Sequence, residues 1–352
     1  MKCAGNGDRC PARAADPGAN LGPRGRVGKI RETASCDTES RETVSRGGAR
    51  GYAALLEAGR RFLAERGAED AARDAVELLC LAAGCDRARL YAYPDESVPD
   101  AAAARFRDFL HRRARHEPIQ YIAGTWEFMG LTFRVDRSVL IPRPDTECLA
   151  ECVLRAVRAR APGEEPPRIL DLCTGSGCVA VCLAFFLRSA HIVATDISAA
   201  ALALARENAA LNGLADRLTF LEGDLFAALP NAASAPRFDV ICANPPYIPE
   251  EEIPGLMPDV RLYEPELALN GGPDGLGFYR RIAEGAPRYL RPGGTLAVEV
   301  GAGQAADVAA IFAGRAELTA ISTVRDLSGL ERVVFARRAL TGALFDTNTC
   351  LV

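Results

Sequence analysis

The stretch "RILDLCTGSGCVA", residues 168–180, reads as three pieces in sequence: a short apolar run of strand length, a turn carrying Gly175 and Gly177, and an apolar segment opening at Cys178 that continues with helical character. A strand, a glycine turn and a helix in that order form the first unit of an open α/β sheet, whose ligands bind beyond the carboxyl ends of the strands. The turn departs from the phosphate-binding versions of the unit. Ala180 stands where the dinucleotide fingerprint has its third glycine, and no Lys-Ser or Lys-Thr pair follows as in a P-loop. The turn therefore points to a nucleoside ligand without a pyrophosphate.

Working outward, strand and helix patterns alternate. "HIVATD" (191–196) is followed by a helical pattern over 200–212 that Gly213 stops, then "LTFLEGD" (218–224), "FDVICAN" (238–244) and, after the Pro292-Gly293-Gly294 turn, "GTLAVEV" (294–300). Two last runs, 318–324 and 332–336, flank Asp326-Leu327-Ser328-Gly329 and read as a terminal antiparallel pair. The expectation is a Rossmann-like, mostly parallel seven-stranded sheet with an antiparallel last strand and helices on both faces, over residues 143–339.

Upstream, apolar residues recur at three- and four-residue steps (Leu55, Leu56, Phe62, Leu63; Ala75, Val76, Leu78, Leu79), with Gly67, Gly84 and Pro94 as punctuation. Residues 51–118 are expected to form a small helical bundle. It closes on Arg112, Arg113 and Arg115, which read equally as a solvated helix end and as a binding patch. Residues 119–142 switch to alternating aromatic and β-branched residues broken at Gly130 and are read as a β-hairpin linker. Residues 1–50 lack apolar periodicity and carry ten basic and six acidic side chains; disorder is expected there, and a short tail over 340–352.

Composition bounds the function. With 49% hydrophobic residues, a net charge of −4 and a pI near 5.7, the chain has real cores and no global basic field, which disfavours direct nucleic-acid binding. The 12 cysteines include no CxxC pair and fall in apolar segments, so they read as reduced core residues. Three His, none at metal-ligand spacing, speak against a metal site. No apolar run reaches the ~20 residues of a membrane span. A cytoplasmic monomer is expected, with organellar import through residues 1–50 as the alternative.

The strand ends carry the chemistry. Asp196 closes the second strand, where a carboxylate can accept both ribose hydroxyls. Asp224, with Leu225, closes the third and would border an adenine ring. Together with Asp171 these acids are expected to form one crest suited to S-adenosyl-L-methionine, a cationic sulfonium on a nucleoside, with S-adenosyl-L-homocysteine as product. The fourth strand ends on the same crest in Asn244-Pro245-Pro246-Tyr247. An amide nitrogen is a poor nucleophile because its lone pair is delocalised, so it must be held and turned. The Asn244 oxygen and the Pro245 carbonyl can accept both N–H bonds of an NH2 group, the prolines fix the backbone, and Tyr247 offers a flat wall.

Taken together the sequence resembles the HemK/PrmC family, the peptide chain release factor N5-glutamine methyltransferases, over roughly residues 52–338. The stretches that carry the resemblance are "HEPIQYIAG" (116–124), "LIPRPDTE" (140–147), "DLCTGSGCVA" (171–180), "ATDIS" (194–198), "NPPYI" (244–248), "EPELALNGGPDGLGFYR" (264–280) and "DLSGLERVV" (326–334). The resemblance implies a class I methyltransferase domain, an N-terminal domain that docks the release factor, and methyl transfer to the glutamine of its Gly-Gly-Gln motif. It implies that Cys173, Thr174, Gly175, Ser176, Gly177, Asp196 and Asn244 bind the cofactor, beside Asp171, Asp224 and Leu225 read from the strand ends above, and that Asn244, Pro245, Pro246 and Tyr247 hold the glutamine. Cys173 stands where glycine is common, and Leu225 where some members carry an aromatic residue. The alternatives are amino-group methyltransferases acting on a ribosomal-protein glutamine or on nucleic-acid adenine, and a binding module that has lost catalysis; the last is at odds with the intact Asn244 and glycine turn.

Overall fold

In the computed structural model, residues 51–161, 164–231, 233 and 237–340 are described. The readings of residues 1–50 as a disordered extension and of the tail beyond Leu340 lie outside them.

The first helices, α1 (Tyr52–Ala64), α2 (Ala71–Ala83), α3 (Arg87–Ala92) and α4 (Asp100–Arg113), bury the apolar stripe that their periodicity announced, with Leu55, Leu63, Leu78, Leu79, Phe106 and Leu110 in one core. Gly59 lets α1 pass close over α4, since a Cβ there would lie 2.6 Å from the Phe106 ring. Asp86 caps α3 by accepting the Arg89 N–H at 2.8 Å. The basic cluster is largely spent on internal pairs: Arg113 meets Asp74 at 2.7 Å and Arg112 grips both oxygens of Glu117 at 2.8 Å. It is therefore not read as an open binding patch.

The hairpin is shorter than the sequence pattern suggested. Residues 119–123 form a short helix, α5 (Ile119–Ala123), which Pro118 starts and Gly124, in the left-handed conformation, ends. Ile122 belongs to the helical core, and the Tyr121 hydroxyl donates to the Val139 carbonyl at 2.6 Å, so tertiary contacts overrode the alternating pattern. Only β1 (Thr125–Phe128) and β2 (Leu131–Arg134) pair, through a turn in which Met129 and Gly130 both have positive φ.

Next come α6 (Pro144–Arg158), with proline in its first turn, β3 (Arg168–Leu172), α7 (Cys178–Phe186), β4 (His191–Asp196), α8 (Ala199–Leu211), β5 (Leu218–Glu222) and β6 (Phe238–Ala243). The chain ends in α9 (Pro258–Tyr263), α10 (Gly277–Tyr289), β7 (Leu290–Glu299), α11 (Ala305–Ala313), β8 (Leu318–Arg325) and β9 (Glu331–Arg338). The seven-stranded sheet has the order β5-β4-β3-β6-β7-β9-β8, and β9 runs antiparallel to both its neighbours. Apolar clusters fill both faces, one built on α6 and α7, the other on α10 and α11. Strand order reverses at β3, which pairs β4 on one side and β6 on the other. That switch point opens a crevice beyond the carboxyl ends of β3, β4 and β6.

The eight cysteines among the described residues are unpaired, and Cys152, Cys178, Cys182 and Cys242 are buried. No helix among the described residues is long and apolar enough to cross a membrane.

Candidate active site

The crevice holds a cavity of about 210 Å³. Its floor is the turn after β3. Cys173 enters that turn with φ +56, a left-handed conformation that strains any residue with a Cβ, and Gly175 and Gly177 follow at +54 and +78. The Thr174 N–H donates to the Thr195 carbonyl at 3.0 Å and its hydroxyl to Asp171 at 2.6 Å. The Ser176 carbonyl accepts from Asn208, whose side chain also bonds the Arg134 backbone, so hairpin, glycine turn and α8 are tied together.

The expected crest of three acids becomes three different environments. Asp171 borders the cavity but is 2% exposed, its oxygens committed to Thr174 and the Cys242 thiol; burial pushes its carboxyl up to about 7. It supports the turn from below. Asp196 is placed as the sequence suggested: it accepts the Gly175 N–H at 2.8 Å and the Ser198 N–H at 2.9 Å, which fix its carboxylate at the cavity wall, while burial raises its pKa. Ser198 itself caps α8, leaving Asp196 free of that task. Asp224 is half-exposed and paired with Arg281 of α10 at 2.6 Å, a partner that the sequence did not suggest. Leu225, also at positive φ, is 6% exposed and lines the same wall.

Asn244 and Pro246 border the cavity. Pro245, between them, is buried, and Tyr247 is half-buried against the core of α10 and α11 rather than lining the cavity wall; burial pushes its hydroxyl up to about 12. The backbone after Asn244 is clamped. The Tyr247 carbonyl accepts from Gln304 at 2.9 Å, Ile248 exchanges backbone hydrogen bonds with Leu269 and Gly271, and the Glu250 N–H reaches the Gly272 carbonyl. Glycines make this close approach feasible: a Cβ on Gly275 would lie 2.4 Å from the Tyr247 carbonyl oxygen, and one on Gly271 2.8 Å from the Tyr247 Cα. This is the physical content of the "LNGGPDGLG" run.

Sequence reasoning missed the work of "RPDTE". Each of its residues but the proline reaches a different part of the site. Arg143 pairs with Glu264 at 2.5 Å, Asp145 with Arg332 at 3.0 Å, Thr146 accepts from the Asn244 Nδ2 at 3.1 Å, and Glu147 accepts the Met129 N–H at 2.8 Å. Glu299, 2% exposed at the end of β7, lies beside Thr146 and Asn244 and was missed as well. The cavity also takes in Leu140, Leu267, Phe278 and Arg281. Only a clustering of polar residues in "RPDTE", on a helix N-terminus, was there to signal any of this in the sequence.

The charged residues on the cavity wall are Arg143, Asp171, Asp196, Asp224 and Arg281, and both arginines are neutralised by acids. Such a wall does not attract phosphate; it suits a nucleoside carrying positive charge. Among the described residues no group of three or more His, Cys, Asp or Glu could hold a metal ion.

Two family models match the chain, the PrmC N-terminal domain over residues 54–124 and a methyltransferase domain over residues 165–324. Three relatives named "Release factor glutamine methyltransferase" match along most of the chain. The protein from Geobacter sulfurreducens is 46% identical over 283 residues, 80% of this chain and 95% of its own. That from Cereibacter sphaeroides is 47% identical over 275 residues, 78% and 94% of the two chains. That from Moorella thermoacetica is 45% identical over 285 residues, 81% and 97%.

Proposed function

The chain belongs to the release factor glutamine methyltransferase family, and we propose that it transfers a methyl group from S-adenosyl-L-methionine to the side-chain amide nitrogen of the glutamine in the Gly-Gly-Gln motif of peptide chain release factors. The observation that carries the reading is the fixed Asn244 carboxamide: with Nδ2 donating to Thr146 at 3.1 Å, Oδ1 is the end left to face a ligand. An acceptor at that point, joined by the Pro245 carbonyl, matches an NH2 group.

The cavity fits the proposed cofactor. Gly175 has open space where a side chain would stand, Asp196 presents a carboxylate anchored by two backbone N–H groups, and Leu225 offers an apolar surface for a flat ring. When bound, the cofactor supplies an electrophilic methyl group on a sulfonium.

The residues of the chain supply position. Two acceptors at the Asn244 and Pro245 corner would hold both N–H bonds of the substrate amide and aim the nitrogen toward the cofactor wall. Fixing two reactants in this way is worth up to ~7 to 11 kcal/mol in favourable cases. The corner holds its shape because the prolines set φ and the following backbone is bonded to Gln304, Leu269 and Gly271. No side chain has to take the proton before transfer, since the methylated nitrogen becomes acidic and releases it afterwards to water. The N-terminal helices would dock the body of the release factor.

The test uses purified protein, radiolabelled S-adenosyl-L-methionine, and release factor, ribosomal protein, DNA or RNA as acceptor. Label in the glutamine of release factor, absent from a Gly-Gly-Ala variant of it, is the expected result. Label in nucleic acid alone would refute the reading.

A further inference from the structure

We propose that Glu299 is a positioning residue for this transfer: together with Thr146 it decides which way round the Asn244 carboxamide faces, and so whether an oxygen or an NH2 group meets the substrate. The proposal rests on the role given to Asn244 above.

The placement follows from the sheet. Ala243 of β6 is in register with Val298 of β7, so Asn244 and Glu299, the next residues along two parallel neighbours, stand side by side at the carboxyl edge. The first turn of α6 lays Thr146 across them. All three are removed from bulk water to different degrees, Thr146 and Glu299 at 2% exposure and Asn244 half-buried. Thr146 and, more weakly, Asn244 neighbour the Glu299 carboxyl and favour its charged form, and its Oε2 is buried with no hydrogen-bond partner. A buried carboxyl with an unsatisfied oxygen is costly, so an acid at a core position that could hold a hydrophobic residue calls for a reason.

The chemistry of the hydroxyl explains what that acid does. A threonine hydroxyl has one hydrogen and two lone pairs, and it can donate to the Asn244 oxygen as readily as accept from the Asn244 nitrogen. Thr146 alone therefore does not distinguish the two orientations. An ionised carboxyl only accepts. Once the hydroxyl hydrogen of Thr146 is committed to Glu299, Thr146 has only lone pairs to offer, and the end of Asn244 that faces it must be Nδ2. Oδ1 then faces the substrate. A neutral Glu299 could donate its own hydrogen to Thr146, freeing the hydroxyl to turn the carboxamide over and present a donor to a donor.

The surroundings set where this control operates. Burial pushes the Glu299 carboxyl up to about 7, against the hydrogen bonds from Thr146 and Asn244. The charged and titratable groups facing it are Asp145 at the start of α6, Arg332 of β9, Tyr247 after β6, Cys178 at the start of α7 and Tyr279 of α10. Of these Asp145 raises its pKa and Arg332 lowers it. Turnover should accordingly rise with pH through the neutral range as Glu299 ionises.

Glu299→Gln, Glu299→Ala and Thr146→Val, with the Glu299→Ala/Thr146→Val double variant, test this on the full chain. The side-chain oxygen of glutamine can still accept from Thr146, so Glu299→Gln should lose only a few-fold in kcat while its acid limb near pH 7 disappears. Glu299→Ala and Thr146→Val should each lose roughly 100-fold in kcat with cofactor affinity and melting temperature largely kept, as expected for misplaced geometry. The double variant should be no worse than the poorer single, because the two act in series. In isotope-labelled protein the Asn244 side-chain NH2 resonance, assigned by its loss in Asn244→Asp, should titrate with the acid limb in the wild type and not in Glu299→Gln. A wild-type kcat in Glu299→Ala, an acid limb that survives in Glu299→Gln, or an Asn244 resonance that ignores pH would each overturn the proposal. Failure of the unmodified protein to methylate release factor would instead overturn the functional reading, and the resonance titration would still report on Glu299.

Discussion

Arg143 and Glu264, 121 residues apart in the chain, meet at 2.5 Å at the cavity wall, with the glutamate side chain 1% exposed and the arginine one-third exposed. The Glu264 carboxyl also accepts the Ile141 N–H at 3.3 Å, so the loop leading into α6 is bound to the segment that follows α9. The two partners are not equivalent. Removing Glu264 leaves an arginine that can turn to water, whereas removing Arg143 leaves a buried carboxylate that keeps the Ile141 N–H and loses its counter-charge. Arg143→Ala should destabilise by about 3 kcal/mol and Glu264→Ala by less, measured by urea denaturation. Burial already raises the Glu264 pKa, so the loss in Arg143→Ala should shrink at acid pH, where the carboxyl can be protonated. Equal losses at pH 5 and pH 8 would refute this asymmetry.

Asn244 borders the cavity without closing it, so its side chain should matter for the substrate amide far more than for the cofactor. Asn244→Ala is expected to abolish transfer to release factor, while calorimetry still detects cofactor binding within about tenfold of the wild type, one lost hydrogen bond being worth ~1 kcal/mol. Unchanged turnover would remove Asn244 from the reaction.

Gly275 and Gly272 separate steric demand from backbone freedom. Both have positive φ, +70 and +90, but a Cβ on Gly275 would meet the Tyr247 carbonyl oxygen at 2.4 Å, whereas none lies within 4 Å at Gly272. Gly272→Ala should cost about 1 kcal/mol from backbone strain alone. Gly275→Ala adds overpacking of ~1 to 3 kcal/mol and pushes on the backbone beside Pro246, so it should lose both melting temperature and kcat. Equal behaviour of the two variants would show that the clamp on Tyr247 does not matter.

Two buried acids make stability fall as the solution becomes more alkaline. Burial pushes Asp171 and Glu299 each up to about 7, from 3.8 and 4.5. Between the unfolded and folded values the folded state binds more protons, so unfolding free energy decreases as pH rises through that window. The upper bound is on the order of 4 kcal/mol for Asp171 and about 3 kcal/mol for Glu299. Urea midpoints should therefore be lower at pH 8 than at pH 5.5, and Asp171→Asn should flatten the slope. A midpoint that rises across this range would contradict the burial of these carboxyls in their neutral form.

Local patterns made the sheet legible. "RILDLCTGSGCVA" announces its own strand, turn and helix because period, apolar content and glycine positions act within a few residues of each other, and β3 and α7 formed as read. Asp196 was legible for the same reason, being the end of a strand next to that turn. Where the pattern was short, packing won: "IQYIA" alternates like a strand, yet Pro118, Gly124 and the helical core make it α5.

By itself, then, the sequence determined the succession of the strands of the large sheet along the chain, the glycine turn, and the asparagine that ends β6, all properties of contiguous residues. Only the tertiary structure decided what holds that asparagine. Thr146 lies 98 residues before it, on another element, and Glu299 comes from the next strand. The same distances turned the three expected acids into a buried support, a cavity carboxylate and half of an ion pair. Hydrogen-bond partners and dielectric surroundings are set by which strands lie next to each other and which helix covers them, and residue spacing along the chain carries no information about either.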